Sequence, residues 1–135
     1  MTTPALADVP VRTAAELTAR WYSLLDPPEF AARSLWLTWF GADGRQLPIV
    51  IPVDGVPRVP DVLMLVNLRQ LHEQVLSDQL GGRGHLALAL CRPGPAVVTA
   101  DDDAWLEALR ELLDDGDWSL HLAADGSVVP LVQAG

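Results

Sequence analysis

The sequence predicts a single α/β domain of the α+β kind, in which helices cover a central mixed β-sheet. Two observations predict this class. The chain has 135 residues, of which 50% are hydrophobic and 20% charged, which is the size and composition of one globular domain. Segments with helical spacing alternate with strand-like segments in the order α-ββ-α-β-α-ββ. We expect residues 1–12 to form a flexible N-terminal tail and residues 13–135 to form the domain.

The first helix begins after Thr13. Thr13 and Glu16 have the spacing of a capping box, in which the hydroxyl and the carboxylate each accept a hydrogen bond from the other residue's backbone N–H. Leucines and a tryptophan follow at helical spacing. The Pro27-Pro28 pair ends the helix, because proline has no backbone N–H and clashes with the preceding turn.

A β-hairpin follows. Residues 34–40 and 47–53 are rich in aromatic, aliphatic and β-branched side chains and flank an Asp-Gly turn pair at 43–44. Pro48 and Pro52 cannot donate hydrogen bonds to a neighbouring strand, and their spacing of four places both missing donors on the same side. This pattern predicts that the second strand lies at a sheet edge.

The second helix is predicted to start at the cap Asp61 and to run to about Leu80. Its apolar stripe is narrow over most of its length. In the first turn, however, Val62, Leu63 and Val66 make the helix apolar nearly all round. We therefore expect that end of the helix to be buried.

The remaining elements are a central strand, a third helix and a second hairpin. Residues 85–91 alternate leucine with small residues and are apolar on both faces, which is typical of a covered central strand. Thr99 caps a helix that runs through Leu113. Residues 118–123 and 128–132 flank another Asp-Gly pair and predict the closing hairpin.

The charge balance excludes several classes of partner. The net charge is −9, from 18 acidic residues against nine scattered arginines and no lysine, and such a chain repels the phosphates of nucleic acid. The apolar runs are far shorter than the ~20 residues of a membrane-spanning helix. Cys91 is the only cysteine and the N-terminal residues do not resemble a secretory signal. We expect no nucleic acid, no membrane and a cytoplasmic location.

Three consecutive aspartates, Asp101, Asp102 and Asp103, are the weak candidates for metal ligands. Carboxylates at one place attract Mg²⁺ or Ca²⁺, but this run lacks the spaced ligands of a calcium loop. Asp101 and Asp102 also fall in the first turn of the helix that Thr99 caps, where negative charge is favourable. Capping is the favoured interpretation, and no metal or other cofactor is expected.

Other reactive residue types form no recognisable catalytic pattern. His72, His85 and His121 do not have the spacing of a zinc site. The serines lie in no nucleophile elbow. Cys91 is expected to be a buried, unreactive thiol. The sequence therefore predicts no catalytic residue.

Two surfaces are candidates for protein association. Trp36 and Phe40 share one face of the first strand; either they are exposed and form a patch for a partner or a homodimer, or the first helix covers them. Residues 101–117 contain eight acids and one arginine, so the third helix offers a negative face to a basic partner. The acidic interaction residues are Asp103, Glu107, Glu111 and Asp114.

From residue 34 to residue 132 the order is a hairpin, a loop marked by Pro57-Arg58-Val59-Pro60, a helix, a buried strand, a Pro-Gly loop, a Thr-x-x-Asp helix start, a strand and a hairpin. This layout resembles the JAB/MPN-type domain of the RadC-like proteins. Active members of that family are zinc hydrolases, some of which cleave isopeptide bonds. Two histidines and an aspartate bind their zinc, and an upstream glutamate activates water.

The resemblance places the family's active-site loop on Leu90, Arg92, Pro93, Gly94, Thr99 and Asp102. Leu90 and Arg92 stand where the family has histidines, and Asp102 matches the aspartate. Leucine cannot bind zinc and arginine repels it, so the resemblance implies a degenerate, non-catalytic relative. We expect a protein-interaction module that binds a protein partner or a second copy. The alternative is a metal-dependent hydrolase of the peptidase or isopeptidase type, which uses carboxylates near Asp101–Asp103.

Overall fold

A computed structural model of the chain describes residues 10–113 and 116–132. The predicted order of elements is confirmed. Residues 1–9 of the predicted tail lie outside the described residues. The elements are α1 (Ala14–Leu24), β1 (Ser34–Phe40), β2 (Gln46–Asp54), α2 (Val62–Leu80), β3 (His85–Cys91), α3 (Ala100–Leu112), β4 (Trp118–Ala124) and β5 (Ser127–Val132).

The five strands form one mixed sheet in the order β2-β1-β3-β4-β5. β3 and β4 are parallel, and the other neighbours are antiparallel. The central position predicted for β3 is confirmed, and so is the edge position of β2. Residues 10–113 and 116–132 form a single α+β domain with three helices, and none of these helices is long and apolar enough to span a membrane.

Of the helices that the structure describes, only α1 packs on one face of the sheet. The central strand β3 presents only small side chains there, Ala87, Ala89 and Cys91, which lets the helix approach closely. Trp21 of α1 is fully buried in this layer. The contacting residues are Leu17, Trp21 and Leu25 on the helix side and Phe40, Ala87, Ala89, Cys91 and Ala123 on the sheet.

α2 and α3 cover the opposite face, where the strands present large side chains. Most of the large buried side chains lie on this face. Burial of each leucine-sized side chain contributes about 1.5–3 kcal/mol to stability. The buried residues of the layer include Leu35, Leu37, Trp39, Leu86, Leu88, Leu90, Trp105, Leu109 and Leu120.

The expectation that the first turn of α2 is buried was wrong. Val62 and Leu63 are 75% and 66% exposed, and Val66 is also exposed. The helix turns Leu68 and Val75 toward the sheet instead. Because α2 lies in an outer layer, only one side of it is covered, and no described element covers the other side of its first turn.

The segment before α1 is tied to the first hairpin. The Val11 backbone N–H donates to the Gly44 carbonyl oxygen at 2.7 Å. Gly44 has a φ of 82°, and a Cβ there would lie 2.4 Å from the Val11 carbonyl oxygen, so only glycine fits. Contacts of the domain therefore begin at least two residues before Thr13.

Candidate functional site

The loop after β3, where the family resemblance places an active site, is organised by one buried arginine. Arg92 is 2% exposed. Its Nε and Nη2 atoms donate to the two carboxylate oxygens of Asp102 at 2.9 and 2.7 Å. The remaining N–H groups donate to the backbone carbonyls of Pro93, Pro95 and Val97 at 2.9–3.0 Å. All five guanidinium donors are thus used to hold the loop.

Asp102 joins this arginine to the start of α3. Its carboxylate also accepts from the Thr99 backbone N–H at 2.9 Å, and its own N–H donates to the Thr99 hydroxyl; the two bonds form a capping box at the predicted cap Thr99. Burial opposes the negative charge of Asp102, but the hydrogen bonds from Arg92 and Thr99 outweigh burial. The net effect holds the pKa of this carboxyl below its usual value.

Only part of the predicted loop site converges. Arg92, Thr99 and Asp102 meet, whereas Leu90 packs in the core beneath α2 and α3. Pro93 and Gly94 are exposed. Where the family has metal ligands, this chain therefore has a saturated ion pair.

The three aspartates do not form a common carboxylate site. Asp102 is turned inward and both its oxygens accept from Arg92. Asp101 lies 3.9 Å from Arg33, and Asp103 points to solvent. In residues 10–113 and 116–132, no group of three or more histidine, cysteine, aspartate or glutamate side chains is placed to hold a metal ion.

The aromatic pair Trp36 and Phe40 of the first hairpin does not form the exposed patch that was one of the two expectations. Phe40 is only 4% exposed and belongs to the core beneath α1, and Trp36 is half-buried against the same cluster. The guanidinium carbon of Arg20 lies 5.9 Å from the centre of the Phe40 ring. Of the two interpretations that the sequence left open, coverage by α1 holds, and the pair is not an exposed association surface.

The acidic face of α3 is exposed where the structure describes it. Asp103, Glu107 and Glu111 are exposed and lie four residues apart, on one side of the helix. Asp114 lies outside the described residues. This row forms a narrow negative strip directed to solvent.

An exposed apolar surface includes the start of α2, which the sequence predicted to be buried. We call the exposed residues Val59, Val62, Leu63 and Val66 the ridge; Val62, Leu63 and Val66 lie at the start of α2, and Val59 lies in the loop before it. Beside the ridge is an apolar depression of about 360 Å³, which we call the groove. Its walls include Leu35, Leu37, Val53, Leu63, Met64, Leu68 and Trp105.

A second polar cluster, missed at the sequence level, lies at the opposite end of β3. His85 Nδ1 is 2.8 Å from Asp117 Oδ1, and His85 Nε2 is 2.8 Å from Ser119 Oγ. The order of groups is that of a serine, histidine and aspartate triad. Ser119 is 0% exposed, however, so its hydroxyl is closed to a substrate and the chain of hydrogen bonds joins β3 to β4.

His121 extends the polar character of β4 beneath α1. The Thr18 hydroxyl donates to the Ala14 carbonyl, so it accepts from His121 Nε2 at 2.9 Å. His121 Nδ1 is buried with no partner in the described part of the chain. Burial, with a smaller contribution from His85, lowers the pKa of His121 to about 4.

No sequence signal identifies this cluster. His85 and Asp117 are 32 residues apart, and they meet because the parallel register pairs Leu86 with Trp118. A spacing motif detects residues on one helix or loop, whereas this cluster depends on strand order. Only a prediction of the β3–β4 pairing could have found it.

Cys91 has the features of a structural thiol. It is fully buried beneath α1. Burial raises the pKa of the thiol to about 12, against a smaller lowering effect of a hydrogen bond with Ser34. At neutral pH the reactive thiolate is therefore scarcely populated.

No protein-family model matches the chain, and no curated protein or solved structure is significantly similar to it. Four features are available: the saturated Arg92–Asp102 loop, the acidic strip, the ridge with its groove, and the polar end of β3 and β4.

Proposed function

We propose that the protein is a non-catalytic interaction module that associates with a second copy of itself through the ridge and the groove. The observation that carries the proposal is the exposure of the ridge, whose two most exposed members are 75% and 66% accessible. A contiguous exposed apolar patch is a common mark of a protein interface. Soluble chains normally keep such residues apart or cover them.

The arrangement of ridge and groove favours a second copy as the partner. Leu63 belongs to both features, so a convex and a concave apolar surface lie side by side on one face. In a two-fold dimer the same patch meets itself. The ridge of each protomer then enters the groove of the other, and both are covered by one symmetric contact.

The state of the loop after β3 supports a non-catalytic role. Its only acidic group at the family's ligand position, Asp102, is neutralised by Arg92, and the arginine's donors are all engaged. A buried cation at this position repels a metal ion. We accordingly assign the chain as a degenerate relative of the JAB/MPN-type RadC-like domain, supported by the order of elements and by the position of Thr99 and Asp102.

The remaining surface properties fit a protein partner in the cytoplasm. The net charge of −9 disfavours nucleic acid, and a single buried thiol suits a reducing compartment. The acidic strip is the competing surface, since it offers three exposed carboxylates to a basic partner. We rank it second because exposed acidic helix faces are common on soluble proteins.

Sedimentation equilibrium over a range of concentrations tests the proposal. We expect the wild type to approach twice the 14.6 kDa of one chain as concentration rises. The double variant Val62→Ser, Leu63→Ser should stay monomeric, because it removes the apolar contact. Both side chains are largely exposed, so the variant should fold with a change in stability within about 0.5 kcal/mol per site, which thermal unfolding checks.

Two matched variants locate the interface. Val97→Ser, Val98→Ser removes exposed apolar area from the loop after β3 and should dimerise like the wild type. Glu107→Gln, Glu111→Gln neutralises the acidic strip and should also dimerise. A wild type that stays monomeric at every concentration would refute self-association. Loss of the dimer in the acidic variant, with the ridge variant unaffected, would move the interface to α3.

A further inference from the structure

A cavity of about 780 Å³, open to solvent, lies at the end of the sheet where β3 and β4 begin. Its walls come from the start of α1, the hairpin loop at 41–44, the end of α2 and the loops at 82–84 and 116–117. The volume is within the usual range of small-molecule sites. The ridge and the groove do not contribute to it, so it is independent of the proposed dimer contact.

Two arginines on this cavity lack acidic partners. Arg12 and Arg83 line it, and neither forms an ion pair with any residue in the described ranges. By contrast, an aspartate lies within 4 Å of each of Arg33, Arg45 and Arg92 and forms an ion pair with it. Although the chain has a net charge of −9, this cavity therefore has two cationic groups without an ion-pair partner among the described residues.

A buried imidazole also lines this cavity. His72 lines it and is only 4% exposed. Its Nδ1 accepts a hydrogen bond from Trp39 Nε1 at 3.0 Å, so in the neutral ring the proton is on Nε2. This N–H has no hydrogen-bond partner in the part of the chain that the structure describes. Burial is the main cause that lowers the pKa of His72 and keeps the ring neutral.

The carboxylates of the cavity are already engaged. Asp43 lies 3.6 Å from Arg45, and Asp117 is 2.8 Å from His85. The nearby Glu16 lies outside the cavity and accepts hydrogen bonds from two backbone N–H groups before α1. The donors without partners are therefore the two guanidinium groups and the imidazole N–H, and all three suit an anion.

We propose that this cavity binds a small molecule through an oxyanion group, such as a phosphate or a carboxylate. Arg12 and Arg83 provide the charge, and each guanidinium presents paired N–H donors that match two oxygens of such a group. His72 Nε2–H provides the third donor from the cavity wall. The organic part of the ligand would contact the apolar lining, which includes Leu17, Phe40 and Leu76.

Titration of the ¹⁵N-labelled intact protein with inorganic phosphate, at constant ionic strength, tests the proposal. We expect saturable shifts of the backbone amides of Gly82, Gly84 and Gly116, with little change elsewhere. Acetate in a parallel titration distinguishes a preference for phosphate from a preference for carboxylate. The variant Arg12→Gln, Arg83→Gln should weaken binding by about tenfold or more, because charge-assisted hydrogen bonds are lost.

The control variant is Arg58→Gln, Arg110→Gln, which removes two exposed arginines outside the cavity and changes the net charge equally. Its binding should match the wild type within about twofold, since only long-range charge is altered. Equal weakening in both double variants would overturn the site, because attraction would then follow net charge alone. A wild type without saturable shifts for either anion would overturn it as well. Neither result bears on the dimer, which is measured without added anion.

Discussion

His121 is an imidazole that the fold holds in its neutral form. It lies between β4 and α1, 1% exposed, with one nitrogen bonded to Thr18 and the other without a partner. Protonation in the folded state would place a charge there with no counter-ion. The unfolded chain protonates with an ordinary pKa near 6.5, whereas the folded pKa is about 4. Between these values the unfolded state binds more protons.

Stability should therefore fall as the pH drops from about 6.5 to 4. The contribution of His121 is fully present above its unfolded pKa, and a shift of this size corresponds to about 3 kcal/mol. His72, whose pKa is also lowered, acts in the same direction. Urea unfolding at a series of pH values, followed by tryptophan fluorescence, measures the slope.

The variant His121→Gln isolates the effect. Glutamine does not titrate, and its amide N–H can still donate to Thr18. We expect its stability to depend much less on pH over this window, with the remaining slope due to His72. Asp102 interferes little, because its pKa is lowered from 3.8, so its stabilising contribution is present above that pH and is lost only at lower pH. An unchanged slope in the variant would show that His121 is not the titrating group.

Interactions between two residues could be predicted from the sequence only when the residues are close along the chain. The cap Thr99 with its Thr-x-x-Asp helix start was predicted because the two residues are three positions apart, and the structure confirms the cap. The partnership of Arg92 with Asp102 was not predicted, since it depends on where the loop after β3 returns. Asp117 was missed as the partner of His85 for the same reason.

At the level of elements, the Arg92–Asp102 pair fastens β3 to α3. The arginine follows the last residue of the strand, and the aspartate lies in the first turn of the helix. Because both side chains are almost fully buried, neither can return to water when its partner is removed. Removal of one member of such a pair commonly costs about 3–5 kcal/mol.

We expect Asp102→Asn to lower the free energy of unfolding by about that amount, measured by urea unfolding near neutral pH. The surface variant Glu73→Gln is the comparison, because Glu73 also faces an arginine but is exposed, and it should change stability by less than about 1 kcal/mol. Similar losses in the two variants would mean that the buried pair has no special role in joining strand and helix.

The strands and helices were largely predictable because their patterns are local. Pro48 and Pro52 predicted that β2 is an edge strand, and the apolar residues on both faces of β3 predicted that it lies at the centre of the sheet. Which elements cover which faces was less predictable. Val62 and Leu63 were expected inside and lie outside, while Phe40 was placed with equal weight on either side and lies inside. Periodicity defines an apolar face but not the element that packs against it.

For the whole molecule, the burial of Phe40 and the exposure of Val62 and Leu63 change which surface is available for association. α1 covers the first hairpin, so the aromatic pair contributes to the core, and the start of α2 projects beyond the covering layers. The acidic region of residues 101–117 accounts for most of the net charge, and this excess of acids can be counted from the sequence. The ridge and the cavity, by contrast, depend on tertiary structure, and composition alone reveals neither.

Cys91 reports the cooperative opening of the whole molecule. It ends the central strand and is covered by α1, so a reagent reaches it only when the layers separate. The raised pKa of about 12 further suppresses the thiolate in the folded state. Reaction with a thiol reagent at mildly alkaline pH should therefore be slower than in guanidinium by a factor of about 10³ or more, in proportion to the folded population.

The measurement compares the reaction rate of the native protein with the free energy of unfolding found in urea. If opening is global, variants that lower stability, Asp102→Asn among them, should raise the rate in proportion to the unfolded fraction. The exposed-surface variant Val97→Ser, Val98→Ser should leave it unchanged. Rapid labelling of the native wild type would instead mean that α1 detaches locally, and the single domain would then consist of a stable sheet with α2 and α3 and a separately opening α1.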